Sequence, residues 1–131
     1  MQYTTTPGAQ GICPSGWHIP TNAEVVTLEE YLGMCSGTGA GCSGELGTYR
    51  GTDEGAQLAG DASKWGGTDA TVIDQDTSFD SSGFNLLPGG TLFYNKTWII
   101  AAYQTGIGFI QTSNQVVSTT YLSRQINSGY T

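Results

Sequence analysis

Aromatic and amide side chains are concentrated in the C-terminal third of the chain, and their chemistry suits ligand recognition. Sugar rings stack on aromatic faces, and the side chains of Asn and Gln form hydrogen bonds with hydroxyl groups. Aromatic and small polar residues together also suit adaptable recognition of proteins. We therefore expect a binding site built from Trp98, Tyr103, Gln104, Gln111, Asn114, Tyr121, Arg124 and Asn127. The competing interpretation is that half of these are strand residues facing the core.

Four aspartates lie close together before this region and suggest a cation site. Calcium binds carboxylate and carbonyl oxygens, which an acidic loop supplies. Calcium is therefore the one cofactor that the sequence suggests, with the ligands Asp69, Asp74, Asp76 and Asp80. The segment lacks the spacing of an EF-hand and its bidentate Glu. Asp is also a common turn residue, so four solvated turn residues are the alternative.

The spacing of two of the three cysteines suggests a disulfide. Cys35 and Cys42 flank the segment SGTGAG, which can fold back and bring two Cα atoms within disulfide range. We predict a Cys35–Cys42 disulfide, which contributes about 2–3 kcal/mol to stability. Two free thiols in a cytosolic loop are the alternative. A zinc site is disfavoured because the chain has one His and no C-x-x-C pair, and Cys13 is left without an assigned partner.

No pattern in the chain indicates an enzyme. His18 is the single His, and no Ser or Cys nucleophile motif accompanies it. Asp74 and Asp76 resemble a glycosidase pair only in residue type, because nothing in the sequence favours one of them as the acid. We therefore expect no catalytic residues.

The low charge of the chain excludes some partners and suggests a location. Charged residues make up 11% of the sequence, and four Lys and Arg face eleven acids, giving a net charge of -7. Nucleic acid and anionic lipid are disfavoured because both require a basic patch. No apolar run approaches the roughly 20 residues that span a bilayer. Neutral polar surfaces are common on exported domains, so we expect a secreted or cell-surface protein.

The clearest predicted element is a helix over residues 22–32. It begins with a T-x-x-E capping box formed by Thr21 and Glu24. The acidic residues Glu29 and Glu30 are expected on its exposed side. Apolar residues recur at helical spacing and are expected to face the core: Val25, Leu28 and Leu32.

The remaining pattern predicts an α+β fold. Gly33 is a natural stop for the first helix, and a second short helix is expected over 52–59. A long irregular stretch covers 61–83, and 82–90 reads as a short strand entering a turn. From Thr91 onward we predict the strands TLFYN, TWIIAAYQ, GIGFIQTS and QVVSTTYLSRQIN. Helices followed by strands indicate α+β architecture with an antiparallel sheet.

Two sequence blocks resemble the Fibrobacter succinogenes major paralogous domain family. The segment CPSGWHIPTNAEVVTLEEYLG (13–33) is similar to the family's C-P-x-G-W-H-x-P-[TS]-x-x-E-[WF] signature and its Leu-Glu-x-x-Leu-Gly helix. The segment SGFNLLPGG (82–90), followed by FYN (93–95), is similar to the family's S-G-F-x-x-L-P-A-G and downstream F-Y. The loop MCSGTGAGCSG also resembles that of family members. The resemblance covers residues 8–95.

The resemblance implies a C-type-lectin-like fold, with two helices packed on a small antiparallel sheet and long loops. It implies a surface or secreted protein of unknown ligand, and variable ligand-display proteins with related folds carry their variable residues in the C-terminal third. It also implies that Trp17 fills the core and that His18 satisfies backbone groups. The superfamily's enzymes use a cysteine pair near the C-terminus, which Cys35 and Cys42 do not match.

The C-terminal third departs from the family pattern. The segment GFIQTS (108–113) is the nearest match to the family's W-W-[ST]-S-[ST] strand, and residues 119–131 resemble its Tyr/Arg/Leu strand. A closing G-F-S-V-R-C strand is absent; in the family its Cys is the expected partner of the residue at Cys13. We expect one domain over 1–131 that is either a fragment or ends in a diverged segment completed by another strand. Residues 1–3 resemble mid-domain sequence, so the N-terminal side is expected to be incomplete too.

Two functions remain open at this stage. The first is an extracellular module that binds a protein or a glycan through its C-terminal strands and loops. The second is a structural subunit of a surface assembly, which self-associates when a neighbour adds a strand to an open sheet end.

Overall fold

In the computed structural model, helices precede antiparallel strands, which confirms the predicted α+β order. The structure describes residues 6–34, 51–65, 73–89, 91–92, 98–99, 106–117 and 120–127. Within these ranges the elements are α1 (Asn22–Tyr31), α2 (Glu54–Leu58), two 3-10 turns (Ala62–Lys64 and Ile73–Gln75), β1 (Thr91–Leu92), β2 (Trp98–Ile99), β3 (Ile107–Val117) and β4 (Thr120–Asn127). Strand β1 pairs with β2 and strand β3 with β4, both antiparallel.

The predicted capping box forms at the start of α1. The Glu24 N–H donates to Thr21 Oγ1 at 3.2 Å, and the Thr21 N–H donates to Glu24 Oε2 at 2.7 Å. The helix ends at Tyr31, one residue before the predicted end, and Gly33 follows with φ 110°. The Gly33 N–H donates to the Glu30 carbonyl at 3.1 Å and the Met34 N–H to the Glu29 carbonyl at 3.0 Å, which is a Schellman motif.

The core lies between α2 and the β3–β4 pair. Its fully buried centre is Trp65, whose indole Nε1–H donates to the Gly60 carbonyl at 3.0 Å. Gly108 of β3 allows this close packing, because a Cβ there would lie 2.9 Å from the Trp65 ring and 3.0 Å from Leu86. The other buried members of the cluster are Ala56, Leu58, Ala59, Ile73 and Ile126.

The predicted apolar face of α1 is confirmed, but its predicted acidic face is only half right. Val25 is buried, and Leu28 and Leu32 are partly buried against the core. Glu30 is exposed as expected, whereas Glu29 is only 6% exposed. The prediction for Glu29 was wrong because a cation on a distant strand pairs with it, as described below.

Trp17 also differs from expectation. It is 71% exposed and does not fill the core. The Trp17 N–H donates to the Pro14 carbonyl at 3.0 Å, which closes a turn and leaves the indole on the surface. Of the tryptophans whose burial the structure describes, Trp65 fills the core, and it comes from the stretch that the sequence left irregular.

Two predicted strands have different limits in the structure. In the segment 82–90, the described residues 82–89 form a single parallel bridge, between Leu86 and Ala59, rather than a strand. The segment QVVSTTYLSRQIN is not one strand, because β3 ends at Val117 and β4 begins at Thr120, which pair with each other. The strands at TLFYN and TWIIAAYQ are described only at 91–92 and 98–99.

Strand β3 is interrupted by a bulge. Gln111 pairs with Ser123 and Gln115 with Tyr121, so β3 advances four residues while β4 advances two. At the bulge, the Leu122 carbonyl accepts hydrogen bonds from two side chains of β3. Gln111 Nε2 donates to it at 3.1 Å and Thr112 Oγ1 at 2.9 Å. The two extra residues therefore stand away from β4, where they contact other parts of the chain.

Candidate functional site

The solvent-facing side of the β3–β4 pair presents a mixed aromatic and amide surface. Paired residues project to the same side of a sheet, and alternate residues along a strand share a side. Tyr121, Ser123 and Gln125 are all exposed, whereas Ile126 beside them is buried, which fixes the outward side of β4. We call the following set the outer face: Phe109, Gln111, Gln115, Tyr121, Ser123 and Gln125.

Two aromatic rings frame the outer face. Phe109 is 38% exposed and Tyr121 is 41% exposed, so each ring presents part of its surface to solvent while its base packs on the sheet. Phe109 pairs with Gln125, which lies four residues from Tyr121 along β4. At about 3.3 Å per residue, the two rings are therefore separated by ~13 Å along the strand direction.

Amide and hydroxyl groups occupy the space between the two rings. Gln111 and Ser123 are a directly paired couple, and both are exposed. The amide of Gln111 already donates to the Leu122 carbonyl, which holds the side chain in place across the strand. Between the two rings the surface thus offers the Gln111 Oε1 as a positioned acceptor and the Ser123 hydroxyl.

The outer face carries no acidic or basic residue. This is notable in a chain of net charge -7. Exposed charges of the described residues lie elsewhere, on α1 and in the segments around α2, and include Glu30, Asp61, Lys64 and Asp80. The face is therefore an uncharged area on an acidic protein.

The bulge of β3 connects this sheet to the segment before α1. The Ser113 N–H donates to the Pro20 carbonyl at 2.8 Å, and the Gly8 N–H donates to Ser113 Oγ at 3.1 Å. Asn114 Oδ1 accepts a hydrogen bond from the Asn22 N–H at 2.6 Å. Asn22 begins α1, so Asn114 satisfies a backbone donor that has no partner within the helix. These bonds hold the sheet and the helix in a fixed relation.

A buried ion pair joins the inner side of β4 to the same helix. Arg124 Nε donates to Glu29 Oε1 at 2.6 Å, and Arg124 Nη2 donates to Asn22 Oδ1 at 2.8 Å. The side chains of Arg124 and Glu29 are only 14% and 8% exposed. A cation-carboxylate pair so shielded from water is held firmly, and it fixes α1 against the back of the outer face.

The eight predicted ligand-contacting residues therefore separate into groups. Gln111 and Tyr121 lie on the outer face. Asn114 and Arg124 bond inside the fold and hold α1, and Asn127 is half-buried at the end of β4 opposite Ile107. Trp98 lies in β2, while Tyr103 and Gln104 fall outside the described residues.

Most residues of the outer face were not predicted from the sequence as candidate site residues. Phe109, Gln115, Ser123 and Gln125 were not among the candidates. The alternation in TYLSRQIN contained the signal for β4, because a core-facing Ile126 places Tyr121, Ser123 and Gln125 on the opposite side. On β3 the bulge breaks this alternation, so no period of two runs through the whole strand.

The predicted calcium ligands that the structure describes have different local environments. Asp76 Oδ1 accepts hydrogen bonds from the Ser78 N–H at 2.8 Å and its hydroxyl at 2.7 Å, and these bonds lower the pKa of Asp76. Asp80 is exposed with φ 57°, and one oxygen of Asp74 is buried without a hydrogen-bond partner. Among the described residues no three acidic, His or Cys side chains converge on a metal position, and Asp69 lies outside them.

The cysteine predictions fall mostly outside the described ranges. Cys35 and Cys42 are not among the described residues, so the predicted disulfide between them stays a prediction. Cys13 is half-buried and is a free thiol. No helix in the described ranges is long and apolar enough to cross a membrane.

His18 bonds a carboxylate rather than the backbone, which corrects the expected contact. Its Nε2 lies 2.9 Å from both carboxylate oxygens of Glu24. The Thr21 N–H bond, followed by the bonds from His18 and the Thr21 hydroxyl, lowers the pKa of Glu24 from 4.5 to about 2. His18 therefore supports the capping box from outside the helix.

The architecture and this face define a small α+β domain that presents an uncharged sheet surface. The chain belongs to the Fibrobacter succinogenes major domain family, whose model matches residues 2–124. The match extends past the blocks that carried the resemblance and includes most of β4. No curated protein and no solved structure shows a significant match to the chain.

Proposed function

We propose that this chain is an extracellular ligand-binding module and that the outer face is its binding site. The observation that carries the proposal is the pair of exposed rings, Phe109 and Tyr121, with paired amide and hydroxyl groups between them. Aromatic anchors beside fixed polar groups supply most of the binding energy in many recognition surfaces. The module acts by binding and performs no chemistry on its ligand.

The support behind the outer face favours binding by a preformed surface. The bulge residues Ser113 and Asn114 bond to the segment before α1 and to the helix start. The pair of Arg124 and Glu29 fastens the back of β4 to the same helix. A surface held in this way loses little conformational entropy when a ligand binds, which preserves affinity.

The proposed location and the finer fold assignment rest on the sequence. A charged fraction of 11% suits an exported domain, as does a cysteine pair positioned to form a disulfide. We also propose that the fold is C-type-lectin-like. Two helices, long loops and a C-terminal antiparallel strand pair support that assignment. An experimental structure of the whole chain is the measurement that tests it.

The test of the proposed function is a paired array experiment. Labelled protein is applied to a glycan and polysaccharide array and to an array of extracellular proteins. The wild-type chain is compared with the double variant Phe109→Ala/Tyr121→Ala and with Tyr31→Ala. Tyr31 is an aromatic residue on α1 that is 85% exposed, so its variant controls for the general loss of a surface ring.

The proposal predicts hits that Tyr31→Ala keeps and the double variant loses. Signals that are identical in all three proteins would place binding elsewhere and refute the role of the outer face. Running the arrays with calcium and again with EDTA tests the proposed calcium site. Hits lost in EDTA would show that binding needs a divalent cation, and Asp74→Asn, which changes the acid with the unpartnered buried oxygen, would then test whether the acidic segment holds it.

The second candidate is a structural subunit that assembles by strand addition. Within the described ranges β3 and β4 form a two-stranded sheet, and a strand with an open edge accepts a neighbour. Light scattering across a dilution series separates the two functions. A multimer that survives dilution, together with empty arrays, would favour assembly, whereas a monomer with specific hits supports the binding module.

A further inference from the structure

We infer that the outer face recognises an uncharged, extended glycan, an assignment that rests on the proposed binding function. The strongest reason is the absence of ionisable acids and bases from the face. Phe109, Gln111, Gln115, Tyr121, Ser123 and Gln125 supply two rings, three amides and two hydroxyl groups. Rings stack on the apolar faces of sugars, and amides and hydroxyls form hydrogen bonds with sugar hydroxyls. Because Gln111 Nε2 already donates to the Thr112 and Leu122 carbonyls, Gln111 offers its Oε1 as an acceptor.

Electrostatics separates neutral from charged ligands. An anionic glycan would meet no basic group on the face and would be repelled by a chain of net charge -7. A cationic ligand would be attracted to the protein as a whole, but would find its acidic partners away from the two rings. An uncharged ligand can use the groups that the face presents, and it brings no charge that would be buried without a partner.

The spacing of the rings specifies a polymer rather than a single sugar. Phe109 and Tyr121 are ~13 Å apart along β4, a distance that one monosaccharide does not bridge. Gln111 and Ser123 lie between the rings, where they meet the middle of a bound chain. Affinity should therefore rise with chain length until an oligosaccharide covers both rings, and it should level off beyond that length.

Affinity electrophoresis in native gels provides the first test. The gels contain soluble neutral glucan, mannan or galactan, anionic polygalacturonate, or cationic chitosan oligosaccharides. We expect a neutral polymer to retard the wild-type chain and Tyr31→Ala, and to leave Phe109→Ala/Tyr121→Ala at its free mobility. Because no ion pairs are involved, the neutral interaction should be equally strong at low and high salt.

Calorimetry with a size series of the retarding sugar tests the ring spacing. Each single variant, Phe109→Ala or Tyr121→Ala, should weaken binding of the long oligomer roughly tenfold, or about 1.4 kcal/mol. Neither variant should then gain affinity with chain length. Circular dichroism and thermal melting of each variant establish that it is folded before binding is measured.

The outcomes separate this inference from the proposed function. Face-dependent binding of a charged glycan or of a protein, with no neutral sugar bound, would overturn the glycan assignment and preserve the binding module. Neutral binding that the double variant retains would overturn both. Equal affinity for a monosaccharide and a long oligomer would overturn the extended-ligand part of the inference.

Discussion

Replacing Glu29 with Gln tests the internal connection that positions the outer face. The substitution keeps the volume of the side chain but removes the charge that Arg124 Nε contacts at 2.6 Å. Side-chain exposures of 14% and 8% mean that water replaces little of the lost interaction. Removing one partner of a buried pair costs about 3–5 kcal/mol. Since Arg124 keeps its bond to Asn22 Oδ1, we expect a loss of about 3 kcal/mol, at the lower end of that range.

The matched control is Glu30→Gln on the same helix. Glu30 is the next residue and is exposed, so its substitution should change the free energy of unfolding by about 0.5 kcal/mol or less. Urea denaturation followed by circular dichroism measures both variants, with an unchanged m-value as the check on two-state behaviour. Equal losses for the two glutamates would refute the structural role of the pair. The double variant Glu29→Leu/Arg124→Met should recover much of the loss, because no unpaired charge remains.

Three further predictions test the parts around the site. Because the pKa of Glu24 is lowered in the folded state, the ionised Glu24 carboxylate stabilises the fold above pH 4.5, and this stabilisation disappears as the pH falls towards 2. In Glu24→Gln the free energy of unfolding should therefore change less with pH over this range than in the wild-type chain. Gly108→Ala should lower the free energy of unfolding by about 1–3 kcal/mol because the added methyl group crowds Trp65. The control is Gly89→Ala, which has open space around it and should leave the thermal melting temperature nearly unchanged. Asn114→Ala should cost about 0.5–2 kcal/mol in urea denaturation because the Asn22 N–H loses its acceptor.

Local signals in the sequence predicted the first helix well. The T-x-x-E pattern and Gly33 make their hydrogen bonds to residues only a few positions away in sequence. The capping box and the Schellman motif therefore form at the positions that these residues indicate. The fate of Glu29 depends instead on a partner 95 residues away, and helical periodicity contains no information about it. Its neighbour Glu30 has the same charge and helix propensity but the opposite environment.

The outer face was predictable only in part, because its geometry depends on strand pairing. The C-terminal aromatic and amide residues pointed to the strands that carry the outer face, and Gln111 and Tyr121 lie on that face. The bulge between Gln111 and Gln115 turns Asn114 towards α1, and strand register assigns Arg124 to the inner side. Neither assignment follows from residue type alone, since both residues suit ligand binding equally well as free side chains.

Trp17 and Trp65 show a similar limit. The family signature around Trp17 suggested a core position, but a turn leaves that ring 71% exposed. Trp65 lies in a stretch without periodicity, and its burial depends on a glycine of β3 that is distant in sequence. Periodicity finds core residues within helices and strands, whereas a core residue from a loop is found only once the surrounding elements are packed.

The most direct test of the central claim is an amide NMR titration of the isotope-labelled chain with neutral oligosaccharides of glucan and mannan. We expect chemical-shift changes concentrated at the amides of Phe109, Gln111, Tyr121, Ser123 and Gln125, with the amide of Tyr31 unchanged. Changes confined to residues outside β3 and β4 would contradict the assignment of the outer face as the binding site.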